Sequence, residues 1–135
     1  LDTVCFRGFN IWGTRQPKRG AYAPVMGVFT RQREEGVPLT IVGDGEQRRD
    51  FIHVEDVCRG LQAGAQAQEP QRGEVYNIGT GKNYSVNEIA EMIGGERTYL
   101  PERQGESRST LADISNIQEK LGWTPKHSLE SIYIK

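Results

Sequence analysis

Apolar positions along the chain alternate between strand-like and helix-like spacing, and each change of spacing marks an element. Thr3-Val4-Cys5-Phe6-Arg7 is a short β-branched and apolar run that predicts a strand continuing toward Phe9-Asn10-Ile11-Trp12. Residues 13–20, rich in Gly, Pro, Lys and Arg, predict a loop. Val25, Met26, Val28 and Phe29 predict a helix running to Glu34-Glu35 and stopped by Gly36. Leu39-Thr40-Ile41-Val42 and Asp50-Phe51-Ile52-His53 predict two strands. Asp44-Gly45 between them predicts a hairpin turn, because glycine reaches positive φ without steric cost. Val54, Val57, Cys58, Leu61 and Ala65 recur at helical spacing and predict the apolar face of an amphipathic helix. Pro70 and Gly73 close that region.

Residues 74–78 then predict a short strand, and Gly79-Thr80-Gly81 a tight turn. Ser85-Val86-Asn87-Glu88 has capping-box spacing ahead of Ile89, Met92 and Ile93, so a helix starts there. Thr98-Tyr99-Leu100-Pro101 predicts an edge strand. Asp113 predicts the cap of a helix carrying Ile114, Ile117 and Leu121, ended by Gly122. Leu129, Ile132 and Tyr133 predict one more helical turn. No repeat, linker or low-complexity tract interrupts this order, so residues 1–135 are expected to form one α/β domain.

Bulk properties narrow the function classes. At 135 residues the chain suffices for one modest core, and 36% hydrophobic against 26% charged residues fits a soluble globule. Seventeen basic residues against 18 acidic ones argue against nucleic acid or an anionic membrane as partner, so any anion site must be a local cluster. No apolar run approaches the ~20 residues needed to cross a bilayer, and no signal-peptide pattern opens the chain. A cytoplasmic location is expected, with Cys5 and Cys58 as buried thiols of a reducing compartment. Asn83-Tyr84-Ser85 matches a glycosylation acceptor, which carries no meaning without secretion. The first residue, Leu1, reads directly into a strand, so a preceding segment is expected.

Candidate chemistry is sparse. Arg48 or Arg49, at the base of a strand, offers a guanidinium that grips a phosphate through two parallel charge-assisted hydrogen bonds. On spacing alone the pair reads equally as two solvated loop arginines. Gly79-Thr80-Gly81-Lys82 falls short of a phosphate loop, since Tyr76 stands where its first glycine belongs and Asn83 where Ser or Thr belongs. His53 and His127 are far apart in sequence and from any thiolate pair. No metal site and no nucleophile–base set is read from them, and His53 is taken as structural. Trp12, Trp123 and the tyrosines read as packing residues.

The order of motifs resembles the C-terminal part of the extended short-chain dehydrogenase/reductases, the NAD-dependent epimerases and dehydratases of nucleotide-linked sugars. Arg7-Gly8-Phe9-Asn10-Ile11-Trp12-Gly13-Thr14-Arg15-Gln16 is similar to that family's Arg-Tyr-Phe-Asn-Val-Tyr-Gly-Pro-Arg-Gln. The run from Gly43-Asp44-Gly45 through Arg49-Asp50-Phe51 to Val54, Asp56 and Val57 resembles its Gly-Asp-Gly-x-x-x-Arg-Asp-Phe-x-x-Val-x-Asp-Val segment. Tyr76-Asn77-Ile78-Gly79-Thr80-Gly81, Pro101-Glu102-Arg103-Gln104-Gly105-Glu106 and Leu121-Gly122-Trp123-Thr124-Pro125 resemble its later motifs.

The resemblance implies a nucleotide-diphosphate sugar as ligand. Arg49 and Arg103 would hold the diphosphate and Glu106 the ribose. Asn10 would touch the substrate phosphate or sugar, and Thr40 and Val42 would line the base pocket. It also implies a small mixed sheet with flanking helices, plus two strands, near residues 4–9 and 75–78, orphaned from the parallel sheet of a Rossmann half. Departures are equally informative. Gly8 replaces an aromatic residue beside the cofactor site, Trp12 and Thr14 replace Tyr and Pro, and Arg48 adds a charge. Neither the glycine-rich dinucleotide fingerprint nor a Tyr-x-x-x-Lys pair is present: Tyr22, Tyr76, Tyr84 and Tyr99 are followed four places on by Met26, Thr80, Glu88 and Arg103. The expectation is a substrate-binding part that supplies no catalytic residue and holds no NAD by itself, NAD being the cofactor of the complete family enzyme. Two alternatives stand beside it: a self-associating remnant with no preserved ligand, and one piece of a split enzyme whose Rossmann-fold half is a separate chain. Because the orphaned strands lose their neighbours, a homo-oligomer, most simply a dimer, is expected.

Overall fold

Parallel pairing between segments distant in sequence organises the chain. A computed structural model describes residues 1–133; the side chains of Ile132 and Tyr133 and the whole of residues 134–135 lie outside the described part. The elements are β1 (Val4–Gly8), β2 (Asn10–Trp12), α1 (Val25–Glu35), β3 (Leu39–Val42), β4 (Arg48–His53) and α2 (Val54–Ala65), followed by β5 (Glu74–Ile78), β6 (Asn83–Ser85), α3 (Val86–Ile93), β7 (Arg97–Leu100), α4 (Ser115–Leu121) and α5 (Glu130–Tyr133). β1 pairs in parallel with β5, and β3 with β7. β4 lies between parallel β2 and antiparallel β6.

The expected hairpin does not form. β3 and β4 belong to different sheets, and residues 43–47 turn a corner between them. The backbone groups of that corner find partners elsewhere: Gly43 N–H donates to Leu100 O at 2.9 Å, while Gly45 O and Gln47 O accept from Asn87 N–H at 3.0 Å and Val86 N–H at 3.2 Å. Gly45 is needed twice over, for its φ of 77° and because the Asn87 side chain occupies the space a Cβ would fill. β6, read beforehand only as the approach to a helix, is a strand paired to Arg48, Arg49 and Asp50.

The local punctuation behaves as its chemistry dictates. Ser85 and Glu88 form a reciprocal capping box at the start of α3, and Gly36 and Gly122 close α1 and α4 in the left-handed conformation. Asp113 sits one place outside the cap of α4, where its carboxylate accepts from Ser115 N–H at 3.0 Å and Ser115 Oγ–H at 2.6 Å.

Two cores meet at β4. Phe51 points into a cluster with Trp12, Met26, Phe29, Leu39, Ile41 and Ile89, while Ile52 points into another with Tyr76, Ile78, Ile117 and Trp123. Strand alternation sends neighbouring side chains to opposite faces, so one strand serves both clusters. α2 is rotated from the face its periodicity suggests: Val57 packs on the second core as expected, but Asp56, Gly60 and Gly64 are the buried residues, whereas Cys58 is exposed and Leu61 is 46% exposed. The glycines let the helix approach closely. A Cβ on Gly60 would lie 2.8 Å from Ile78 Cδ1, and one on Gly64 2.5 Å from Phe6 Cζ. Cys5 is exposed as well, so neither thiol is the buried group expected. The two strands expected to be orphaned pair with each other, but Cys5 and Arg7 remain exposed and Val75 is 39% exposed on their far face.

The Asp50 carboxylate, fully buried, ties these parts together. It accepts hydrogen bonds from Thr80 N–H at 2.8 Å, Thr80 Oγ1–H at 2.7 Å, Gly81 N–H at 2.9 Å and Ala112 N–H at 3.2 Å. Removing it strands three backbone donors, each costing ~1–3 kcal/mol when unsatisfied. Asp50→Ala is therefore expected to destabilise the chain by at least ~3 kcal/mol, read as a lowered urea midpoint. A loss below ~1 kcal/mol would show that water replaces the carboxylate without cost.

Acid should unfold the chain through its surface carboxylates. The Arg108 guanidinium holds Asp44 down from 3.8 to about 2, and Lys82 with Tyr84 holds Glu130 down from 4.5 to about 2. A depressed folded-state pKa contributes stability above the unfolded value and loses it as pH falls through the folded one. Thermal midpoints are thus expected to stay level from neutral pH to about 5 and to drop between about 4.5 and 2. A flat profile across that lower window contradicts the ion pairs.

Candidate functional site

Arg48 and Arg49 are successive residues of β4 and so project to opposite faces, which separates their tasks. Arg48 is absorbed by the fold. Its Nε donates to Asn83 Oδ1 and its Nη2 to Asn83 O, both at 2.9 Å, and the guanidinium pairs with Glu88 at 2.9 Å. These contacts fasten β6 and the first turn of α3 to β4. Arg49 donates from Nη1 to Arg48 O at 2.8 Å and turns Nη2 toward Glu106 Oε1 at 3.7 Å, beyond hydrogen-bond length. Its side chain is 17% exposed, so the guanidinium reaches the surface from a well-packed stem.

Glu106 stands on the loop after β7, and that loop is firmly anchored. Arg108 makes two hydrogen bonds to Asp44, at 2.8 and 2.9 Å. Arg48 N–H donates to Arg108 O at 2.9 Å, and Thr110 N–H to Arg48 O at 3.0 Å, laying the segment along the start of β4. The loop thereby forms one side of a cleft of about 380 Å³, with Arg103 and Glu106 on that side and Thr40, Val42, Gln47 and Val86 opposite. Val25, Val28, Phe29 and Leu100 add apolar wall.

Four of the six residues singled out from sequence, Thr40, Val42, Arg103 and Glu106, share this cleft, and the Glu106 contact brings Arg49 to its edge. Asn10 lies apart. It lines a neighbouring opening with Arg7, Gly8, Arg49, Asn77 and Thr110, and its Nδ2 donates to Asp50 O at 3.0 Å, pinning β2 to β4. Thr40 is half engaged as well, its Oγ1 accepting from Gln32 Nε2 at 2.8 Å while its N–H donates to Gln32 Oε1 at 3.1 Å.

Two buried glutamines were not anticipated. Gln32 orients Thr40, and Gln47 donates from Nε2 to Val42 O at 2.9 Å while lining the cleft. Gln32 carried a legible signal: it follows Met26 and Phe29 on the buried face of α1, where an amide is out of place unless it has partners.

The chain's own residues do not fit a dinucleotide. Among the described residues, the glycine turn after β5, Gly79-Thr80-Gly81, leads into β6 and not into a helix, with the Thr80 and Gly81 N–H groups spent on Asp50, and the turn after β3, Gly43-Asp44-Gly45, leads into β4. The two histidines read as isolated are in contact, their rings stacked with centroids 4.5 Å apart.

Comparison with known proteins places this architecture. The family model for the NAD dependent epimerase/dehydratase family matches residues 1–79. UDP-glucuronate 4-epimerase of Thermodesulfobacterium geofontis is 35% identical over 139 residues, covering 96% of this chain and 40% of that protein. The UDP-glucose 4-epimerase of Thermotoga maritima, solved with UDP-glucose, superposes with a TM-score of 0.89 at 36% identity, over 96% of this chain and 43% of that one. UDP-glucuronic acid 4-epimerase of Bacillus cereus, solved with UDP-glucuronic acid and NAD, gives 0.85 at 34% identity over 95% and 41%. The chain thus spans about two fifths of the length of the relatives it matches. With more than half of its residues matched by the family model, and relatives aligned along nearly all of it, this chain belongs to the NAD dependent epimerase/dehydratase family.

Proposed function

We propose that this chain is the sugar-nucleotide-recognising part of an NAD-dependent epimerase or dehydratase and carries none of the hydride chemistry itself. The observation that carries the reading is the cleft joining Arg103, Glu106, Thr40 and Val42, with the Arg49 guanidinium 3.7 Å from Glu106. A diphosphate presents two adjacent anionic centres, and arginines from two separate elements clamp both. The Glu106 carboxylate accepts hydrogen bonds from ribose hydroxyls, and the apolar wall of Val25, Val28, Phe29 and Val86 suits the faces of a flat base. NAD, in the complete family enzyme, supplies the hydride acceptor; here Arg49 and Arg103 bind and orient the substrate.

Calorimetric titration with UDP- and dTDP-sugars tests the reading. Saturable binding is expected, and Arg49→Ala or Arg103→Ala should each weaken it about ten- to a hundred-fold, ~1.5–3 kcal/mol. Arg49→Lys should weaken it too, because an ammonium lacks the planar fork. The chain alone should give no NADH fluorescence enhancement and no turnover. Binding that is unchanged in both alanine variants moves the ligand elsewhere, and turnover by the chain alone sinks the proposed division of labour.

A second reading, self-association, rests on open surface. β1 pairs on one side only, the far face of β1 and β5 exposes Cys5, Arg7 and Val75, and Leu61 is 46% exposed on the outer face of α2. A two-fold partner covers the same strand edge on both copies at once. Light scattering should then report a homodimer at micromolar concentration. A monodisperse 15.2 kDa species that binds no hydrophobic dye refutes it.

A further inference from the structure

We propose that His53, His127 and Glu55 form a site for a divalent transition-metal ion, with zinc the ion best suited to its donors. One ligand atom from each of the three lies within 4.8 Å of the others. His127 Nε2 is 3.3 Å from Glu55 Oε2. Two ligands bonded at ~2.0–2.1 Å to a tetrahedral ion are separated by about 3.3–3.4 Å, so this pair already stands at chelating distance.

Hydrogen bonding beyond the donors sets their state. The Asp56 carboxylate is fully buried, accepts from the backbone N–H of Lys126 and His127 at 3.0 and 2.9 Å, and meets His127 Nδ1 at 3.0 Å. With its Nδ1 edge directed at Asp56, the ring turns Nε2 toward a second carboxylate, that of Glu55, as a metal-ligating imidazole held by an outer carboxylate does. Nε2 and the Glu55 oxygen, 3.3 Å apart, can share one cation between them, a proton or a metal. The buried His53 ring stacks on that of His127 with centroids 4.5 Å apart, so a third donor already stands beside the pair. Two neutral imidazoles and a carboxylate are a natural zinc donor set, with one position left for water.

The cost of recruiting His53 is small. Its Nδ1 accepts only a long 3.3 Å hydrogen bond from Glu55 N–H at the start of α2. Glu55, 70% exposed, gives the ion an entry path. The ion would clip residues 124–128 to the first turn of α2, where Arg59 already holds Thr124 O at 2.8 Å. None of these residues belongs to the Arg49–Arg103 cleft, so the site stands independently of the ligand proposed there.

Metal-free protein titrated calorimetrically with zinc chloride tests it, with Co²⁺ as a visible-absorption probe. One equivalent should bind and raise the thermal midpoint, and bound Co²⁺ should show tetrahedral absorption. Glu55→Gln, a surface change that preserves folding, should weaken binding about ten-fold or more, and His127→Ala should abolish it. Absence of saturable binding overturns the proposal. So does binding of equal strength in Glu55→Gln and His127→Ala, which would assign the cation between His127 and Glu55 to a proton.

Discussion

The arrangement depends on a carboxylate placed where water cannot reach it. Asp50 lies in the middle of β4, buried completely, and must find its hydrogen bonds inside the protein. It takes them from Thr80, Gly81 and Ala112, three points on segments that otherwise share no secondary structure with one another. The turn after β5 and the segment before α4 are thereby held against β4 by a single side chain. Arg49 precedes Asp50, and its direction follows from that anchor: once Asp50 points inward, strand alternation turns Arg49 the other way. The outward reach of Arg49 and the burial of Asp50 are therefore one structural decision.

The same alternation explains why two adjacent arginines differ in use. Arg48 falls on the side of β6 and α3, where Asn83 and Glu88 consume its guanidinium. Arg49 falls on the side of the loop bearing Glu106. That loop has no regular structure of its own, yet it is pinned at Asp44 by Arg108 and along β4 by backbone hydrogen bonds on either side of Ser109. Arg103 and Glu106 are thus presented to the cleft by a strapped loop.

Much of this was legible in the residues, for local reasons. The Ser85–Glu88 capping box, the glycine stops and the strand runs are short-range chemistry, and they appear where the pattern puts them. The hairpin was not, because Asp44-Gly45 states only that the chain turns, not what pairs across the turn; the ladder of β3 is taken by β7, sixty residues away in sequence at Leu39↔Arg97 roughly. The buried face of α2 was misread because glycines, invisible to a hydrophobic pattern, make its closest contacts at Ile78 and Phe6. The histidine pair was invisible for a third reason: His53 and His127 meet only because Asp56 draws the segment after α4 back over the start of α2. Of the six residues singled out, Thr40 and Val42 of β3 gathered in one cleft with Arg103 and Glu106 of the loop after β7, while Asn10 went to a backbone partner that sequence alone gives no means to foresee.

The rotation of α2 decides which of its residues face outward. A helix that buries Gly60 and Gly64 against β1 and β5 has spent its small residues on close approach and leaves Cys58 and Leu61 facing out. The β1–β5 pair likewise leaves an edge open, as its two-stranded pairing shows. Relatives that share this fold are more than twice as long, with the matched region about two fifths of their length. Parallel strands such as β1 and β5 ordinarily lie within larger sheets flanked by helices on both faces. Here Cys5 and Arg7 of β1 and Val75 of β5 stay exposed on one face of the pair.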